Sequence, residues 1–161
     1  MDHRPESLIK HFAPLDDLLA GLKLHADVAF QEGGLGWKVE YGRRKHSLAK
    51  LDQSELLRAS DAQWAERSEG YIQKWARLIW SASAEYGKLP ELAGGKEWDD
   101  EENRLIANRV DDAANVVALF GTAGANPCVM SFREDATSMQ AVCTLVFPNH
   151  VLKYDIFWSV D

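Results

Sequence analysis

The sequence predicts an α+β domain. Its antiparallel strands form an N-terminal meander and a C-terminal three-stranded meander, packed with two long amphipathic helices in a single layer on the sheet. Three observations carry this prediction. Apolar residues recur at helical spacing over two long segments, near 60–86 and 99–120. Period-two alternation marks short runs near both ends of the chain. Strand runs and helix runs are segregated, and their hairpin-length links favour antiparallel pairing.

Residues 6–24 read as a helix in two pieces. Pro14 suits the first turn of a new helix, followed by Leu15, Leu18, Leu19 and Leu22 at one-face spacing, with Asp16 and Asp17 where the dipole favours acids. Ala26, Val28 and Phe30 then alternate with polar residues, as do Trp37, Val39 and Tyr41. Gly33–Gly36 and Gly42 supply the breaks of a meander whose third strand spans about 45–51. A short helix is expected over Ser54–Arg58.

Ser60 and Gln63 have capping-box spacing for a helix reaching about Tyr86. Trp64, Tyr71, Ile72, Trp75, Leu78, Ile79, Ala82 and Tyr86 share one face of it. After the loop KLPELAGGK comes a helix from Asp99 to Phe120, with Ile106, Val110, Ala113, Val117 and Phe120 as its core stripe and Gly121 placed to cap it. The segments PCVMSFR, MQAVCTLVF and VLKYDIFWSV read as three strands, with EDATS and PNH as turns. No linker-like segment or internal repeat interrupts residues 1–161, which are read as a single domain.

Composition sets bounds on function. Acidic residues outnumber basic ones 25 to 18, a net charge of −7. That balance argues against nucleic acid, whose phosphates require a positive footprint, and suits a partner with a basic surface. The start, MDHRPESLIKHFAP, is broken by charges and prolines, and no run approaches a membrane span, so a cytoplasmic chain that binds no membrane is expected. The two cysteines, Cys128 and Cys143, lie in apolar strand-like stretches and read as buried thiols.

The run EWDDEE, residues 97–102, concentrates five carboxylates. Asp99 and Glu102 stand at N-cap and N3 spacing, so two of the acids have a structural use as a helix cap. Glu97, Asp100 and Glu101 exceed that use, since adjacent carboxylates repel and the dipole effect fades after one turn. They are the candidate partner-binding residues. The spacing excludes an EF-hand calcium loop, and no metal is expected.

Trp80 joins them as a candidate. At 100° per residue it projects about 140° from the core stripe, among Glu69, Gln73 and Arg77. Either the helix is covered on that side too, or Trp80 anchors an interface. The basic cluster GRRKH, 42–46, reads as a charged hairpin tip.

No motif for nucleotide, zinc or a nucleophilic serine is present, so no cofactor and no catalytic residue is assigned. The leading expectation is a non-enzymatic protein-binding module, an acidic inhibitor or immunity-type protein that neutralises a basic partner. That comparison rests on size and charge alone. The alternative is a small-molecule-binding protein with an aromatic pocket between sheet and helices, lined by Trp37, Tyr41, Trp75, Tyr154 and Trp158; His150 with Asp155 is the acid–base pair an enzyme of this kind would use. Cys143 with His150 is a weaker nucleophile pair. A homo-oligomer, paired through the C-terminal strand, is the third expectation.

Overall fold

The computed structural model describes residues 2–29, 33–43, 56–57, 62–82, 100–125, 128–135 and 137–160. In chain order the elements are α1 (Glu6–Ala29), β1 (Gly33–Arg43), β2 (Leu56–Leu57), α2 (Ala62–Ala82), α3 (Asp100–Gly121), β3 (Cys128–Glu134), β4 (Ser138–Val146) and β5 (His150–Val160). The class is α+β, with every strand pair antiparallel and the sheet order β1-β5-β4-β3-β2. The C-terminal meander β3–β4–β5 is as expected. One layer of helices packs on one face of the sheet.

The N-terminal third differs from expectation in detail. Helix α1 is continuous through Pro14 instead of restarting there. Pro14 offers no N–H to the Lys10 carbonyl, at a cost of about 3 kcal/mol. Against that, Leu8, Phe12, Leu15, Leu19 and Leu22 form one buried stripe across the proline. Each large apolar side chain contributes about 1.5–3 kcal/mol when buried, so the stripe outweighs the lost bond. Residues 26–29, expected to alternate as a strand, extend this helix; three alternating positions are too few to oppose a stripe already running through Leu22.

The glycines expected to break the chain lie within β1, which pairs along its whole length with β5, from Gly33↔Val160 to Arg43↔His150. Among the described residues, β1 is the strand at one end of the sheet order. The expected third strand, 45–51, lies outside the described residues. Leu56 and Leu57, expected in a short helix, pair with Val129 and Cys128 of β3. At these two residues tertiary pairing overrides local propensity.

The sheet register sorts the side chains. Leu152, Tyr154, Ile156 and Trp158 of β5 face the helices with Met139, Ala141, Cys143 and Leu145 of β4, and all eight are buried. Phe120 of α3 stacks on Trp75 of α2 at 6.1 Å and meets Tyr154 edge-on at 5.8 Å, while Phe12 of α1 touches both Phe120 and Tyr154. Four rings from three helices and β5 thus pack together in the core. The Trp75 indole N–H finds no acceptor among the described residues.

Expected helix stripes hold where they are described: Ala113, Val117 and Phe120 on α3, and Tyr71, Trp75, Leu78, Ile79 and Ala82 on α2. The end of α3 is closed by the Thr122 hydroxyl, which donates to the Ala118 carbonyl at 2.8 Å. The left-handed residue that follows is Gly124, at φ +82°, not Gly121. His11 Nε2 must carry its proton, because it donates to the Leu119 carbonyl at 2.7 Å and so ties α1 to the same helix end. No helix among the described residues is long and apolar enough to cross a membrane.

Candidate functional site

The sequence-derived candidates divide between two places. Asp100, Glu101 and Glu102 are the first described residues of α3. Glu97 and Asp99 lie outside the described residues, and so does the capping contact between Asp99 and Glu102. Trp80 lies on α2 with 5% of its surface exposed. From Trp75 to Ala82 every residue of α2 is buried or half-buried, so the fold covers this turn on all sides. The indole stands apart from the main core cluster but beneath the surface.

A second set of polar groups, which no local pattern announced, joins the two ends of the chain. The Tyr154 hydroxyl donates to Asp16 Oδ1 at 2.8 Å and accepts from Arg4 Nη1 at 2.6 Å. The same guanidinium donates to Asp16 Oδ2 at 3.1 Å and to the Asp2 carboxylate through its other nitrogens. The Arg4 side chain is 7% exposed. Hydrogen bonding to Arg4 holds the Asp2 carboxyl down at about 2, and the same bond raises the guanidinium further. Burial, followed by the neighbouring Asp16, pushes the Tyr154 phenol well above its usual range. A phenol that resists ionisation, held between a cation and an anion, is a latch rather than a proton donor in waiting: it fastens the N-terminal arm and α1 to β5.

On the face of the sheet away from the helices, the β1–β5 side is polar and exposed, whereas Val129, Thr144 and Val146 at the other end of the same face are buried. Lys38 and Glu40 of β1 form an ion pair at 2.8 Å; by register they lie opposite Asp155 and Lys153 of β5. Gln140 of β4 donates to Asp155 at 2.9 Å. Amid these charges Phe157 keeps 53% of its surface exposed. Its ring lies over Gly36, where an added Cβ would sit 2.5 Å from the ring tip. The ring covers backbone that glycine leaves bare.

Beside it, at the β3–β4 hairpin, is a surface concavity of about 640 Å³, lined in part by Arg133, Asp135, Ser138, Gln140, Phe157 and Ser159. Asp135 spends its carboxylate on the turn, accepting from the Thr137 and Ser138 amides at 2.9 Å and from the Ser138 hydroxyl at 2.9 Å. These bonds hold its pKa below the ordinary value.

The pairs considered for catalysis are not assembled. His150 and Asp155 are five residues apart on β5, hence about 16 Å along the strand and on opposite faces. His150 stacks on Tyr41 at 4.9 Å with the rings nearly parallel, while Asp155 bonds to Gln140. Burial pushes the Cys128 thiol up to about 12 and Cys143 well above its ordinary value, so neither resembles a thiolate nucleophile. Both are free and buried.

Of the five aromatics considered for a pocket, Trp75, Tyr154 and Trp158 are buried in the core, and Trp37 and Tyr41 pack against it half-buried. Among the described residues no cluster of three metal-ligating side chains occurs. Comparison with protein-family models, with curated proteins and with solved structures finds no match to this chain.

Proposed function

We propose that this chain is a non-enzymatic protein-binding module, an acidic inhibitor or immunity-type protein that neutralises a partner with a basic surface. The observation that carries the reading is the acid surplus at the start of α3. Asp100 and Glu101 are the first described residues of α3, and with Glu97 they supply more negative charge than a helix cap uses. In a chain of net charge −7 such a patch speeds encounter with a basic surface. The chemistry-bearing groups elsewhere support the same reading, since the thiols are buried and His150 and Asp155 face apart. The filled aromatic core supports protein contact over a ligand pocket between sheet and helices.

The test is a triple variant, Glu97→Gln, Asp100→Asn and Glu101→Gln, which retains Asp99 and Glu102 for the helix start. Immobilised wild-type protein should capture a basic protein from the native host lysate in a salt-sensitive manner, and the triple variant should lose most of that capture while keeping its unfolding midpoint. Equal capture by the folded triple variant, or no basic protein recovered by either, would overturn the reading.

A further inference from the structure

The two edges of the sheet are unlike. One edge is β2, two residues long; the other is β1, an eleven-residue strand with no proline. Native proteins blunt exposed edges by shortening them, or with proline or an added helix or loop. Among the described residues no strand pairs with the outer edge of β1. Lys23 reaches its backbone near the strand's start, where Nζ donates to the Leu35 carbonyl. The C-terminal strand expected to offer a free edge does not, because β5 is paired on both sides, with β1 and with β4.

Outward from Val39, the strand is its own chemical complement. Lys38 and Glu40 flank the valine, Trp37 and Tyr41 come next, then Gly36 and Gly42. We infer that the β1 edge docks a second copy of this chain, strand to antiparallel strand about Val39, to form a two-fold dimer with one continuous sheet.

In that register Lys38 faces the partner's Glu40 and Glu40 faces the partner's Lys38. On the helix side Trp37 meets the partner's Tyr41. A two-fold interface requires such self-complementarity, since the same surface is presented by both copies. The exposure pattern agrees. Trp37, Val39 and Tyr41 pack against the core yet stay half-buried, while Lys38 and Glu40 are exposed on the face away from the helices. Gly36 would face the partner's Gly42, leaving the strip beside the Phe157 ring free of side chains on both strands. Helix α1 is the helix that packs on β1, and pairing antiparallel edges about a two-fold axis brings both copies of α1 to the same side. There Leu24, the residue after Lys23, is 71% exposed.

Sedimentation equilibrium of the full chain tests this. Wild type should approach about 36 kDa, twice the chain's 18.1 kDa. Lys38→Glu puts Glu opposite Glu twice, and Glu40→Lys puts Lys opposite Lys twice; each alone should weaken the dimer roughly tenfold or more. Mixing the two variants sets the introduced Glu of one chain opposite the introduced Lys of the other. The native Glu40 of the first then faces the native Lys38 of the second, and the dimer should return as a heterodimer. Thermal unfolding of each variant checks that it is folded, and both changes lie at exposed positions. A wild type that stays at 18.1 kDa at the highest concentration reached overturns the proposal. So does a dimer indifferent to both charge reversals, which places the contact elsewhere. Two weakened variants whose mixture gains nothing overturn the register.

Discussion

Replacing Tyr154 by Phe removes one oxygen from a fully buried ring and leaves the ring contacts with Phe12 and Phe120 in place. The hydroxyl makes two bonds to charged groups, at 2.6 Å to Arg4 and 2.8 Å to Asp16. Hydrogen bonds to charged groups contribute about 1.5–3 kcal/mol each. The full sum does not apply, because Arg4 Nη1 and Asp16 Oδ2 remain paired at 3.1 Å and the Asp16 side chain is 26% exposed, so water reaches its carboxylate. The expected loss is therefore about 2 kcal/mol, or about 4–8 °C in Tm for a domain of this size. Urea unfolding followed by tryptophan fluorescence measures it. Asp16→Asn in both backgrounds completes a double-mutant cycle, with an expected coupling of about 1 kcal/mol. A Tyr154→Phe protein within about 0.5 kcal/mol of wild type, with unchanged near-UV circular dichroism, would refute the latch.

Buried thiols and a covered glycine give two more tests. The thiols of the unfolded chain titrate near 9, whereas Cys128 in the fold titrates near 12 and Cys143 is also raised. Their stabilising contribution is therefore complete below pH 9 and is lost as pH rises from there toward 12, at about 1.4 kcal/mol per pH unit for each thiol. Tyr154, raised from an ordinary value of 10.0, steepens the decline above that pH. Urea midpoints should fall accordingly, and the slope should flatten in the Cys128→Ala/Cys143→Ala protein; an equal slope would mean that the thiols are not buried. At Gly36 the sign of a substitution depends on its neighbour. Gly36→Ala should destabilise wild type, because the new Cβ meets the Phe157 ring at 2.5 Å, yet stabilise a Phe157→Ala protein by about 0.4–1 kcal/mol through a less flexible unfolded chain. The same sign in both backgrounds, by chemical denaturation, would show that the ring does not lie there.

What was legible in the sequence was what periodicity reports. The stripes Tyr71–Trp75–Ile79 and Ala113–Val117–Phe120 each mark a single buried face, and each is buried as read; the segment VLKYDIFWSV, read as a strand, pairs as β5. Punctuation residues misled where packing outvoted them. Pro14 lies inside a helix because apolar contacts continue on both sides of it. Gly36 lies inside a strand because a ring from β5, 121 positions later, covers it. The latch of Arg4, Asp16 and Tyr154 was not legible at all. It joins residues 150 apart, and no local spacing encodes a bond of that separation. The symmetry of Gly36–Gly42 was present in the sequence throughout, but it acquires meaning only once the sheet order places that strand at an edge.

The two proposed contacts obey one electrostatic rule. In a two-fold dimer a patch meets itself or its near neighbour, so a surface of a single sign repels its own copy. The acids Glu97, Asp100 and Glu101 carry a single sign, and the proposed reading pairs them with a partner that is chemically different and basic. The β1 edge is the opposite case. Lys38 and Glu40 cancel in net charge, attract no particular sign at a distance, and match only a strand carrying the same two residues in reverse order. Under the two proposals, charge excess selects a heterologous partner at α3, while charge alternation selects a second copy at β1. Screening by salt should separate them, because long-range steering by the acidic patch decays within a Debye length of about 8 Å at physiological ionic strength, whereas the backbone ladder and the Trp37–Tyr41 contacts of a paired edge depend little on it.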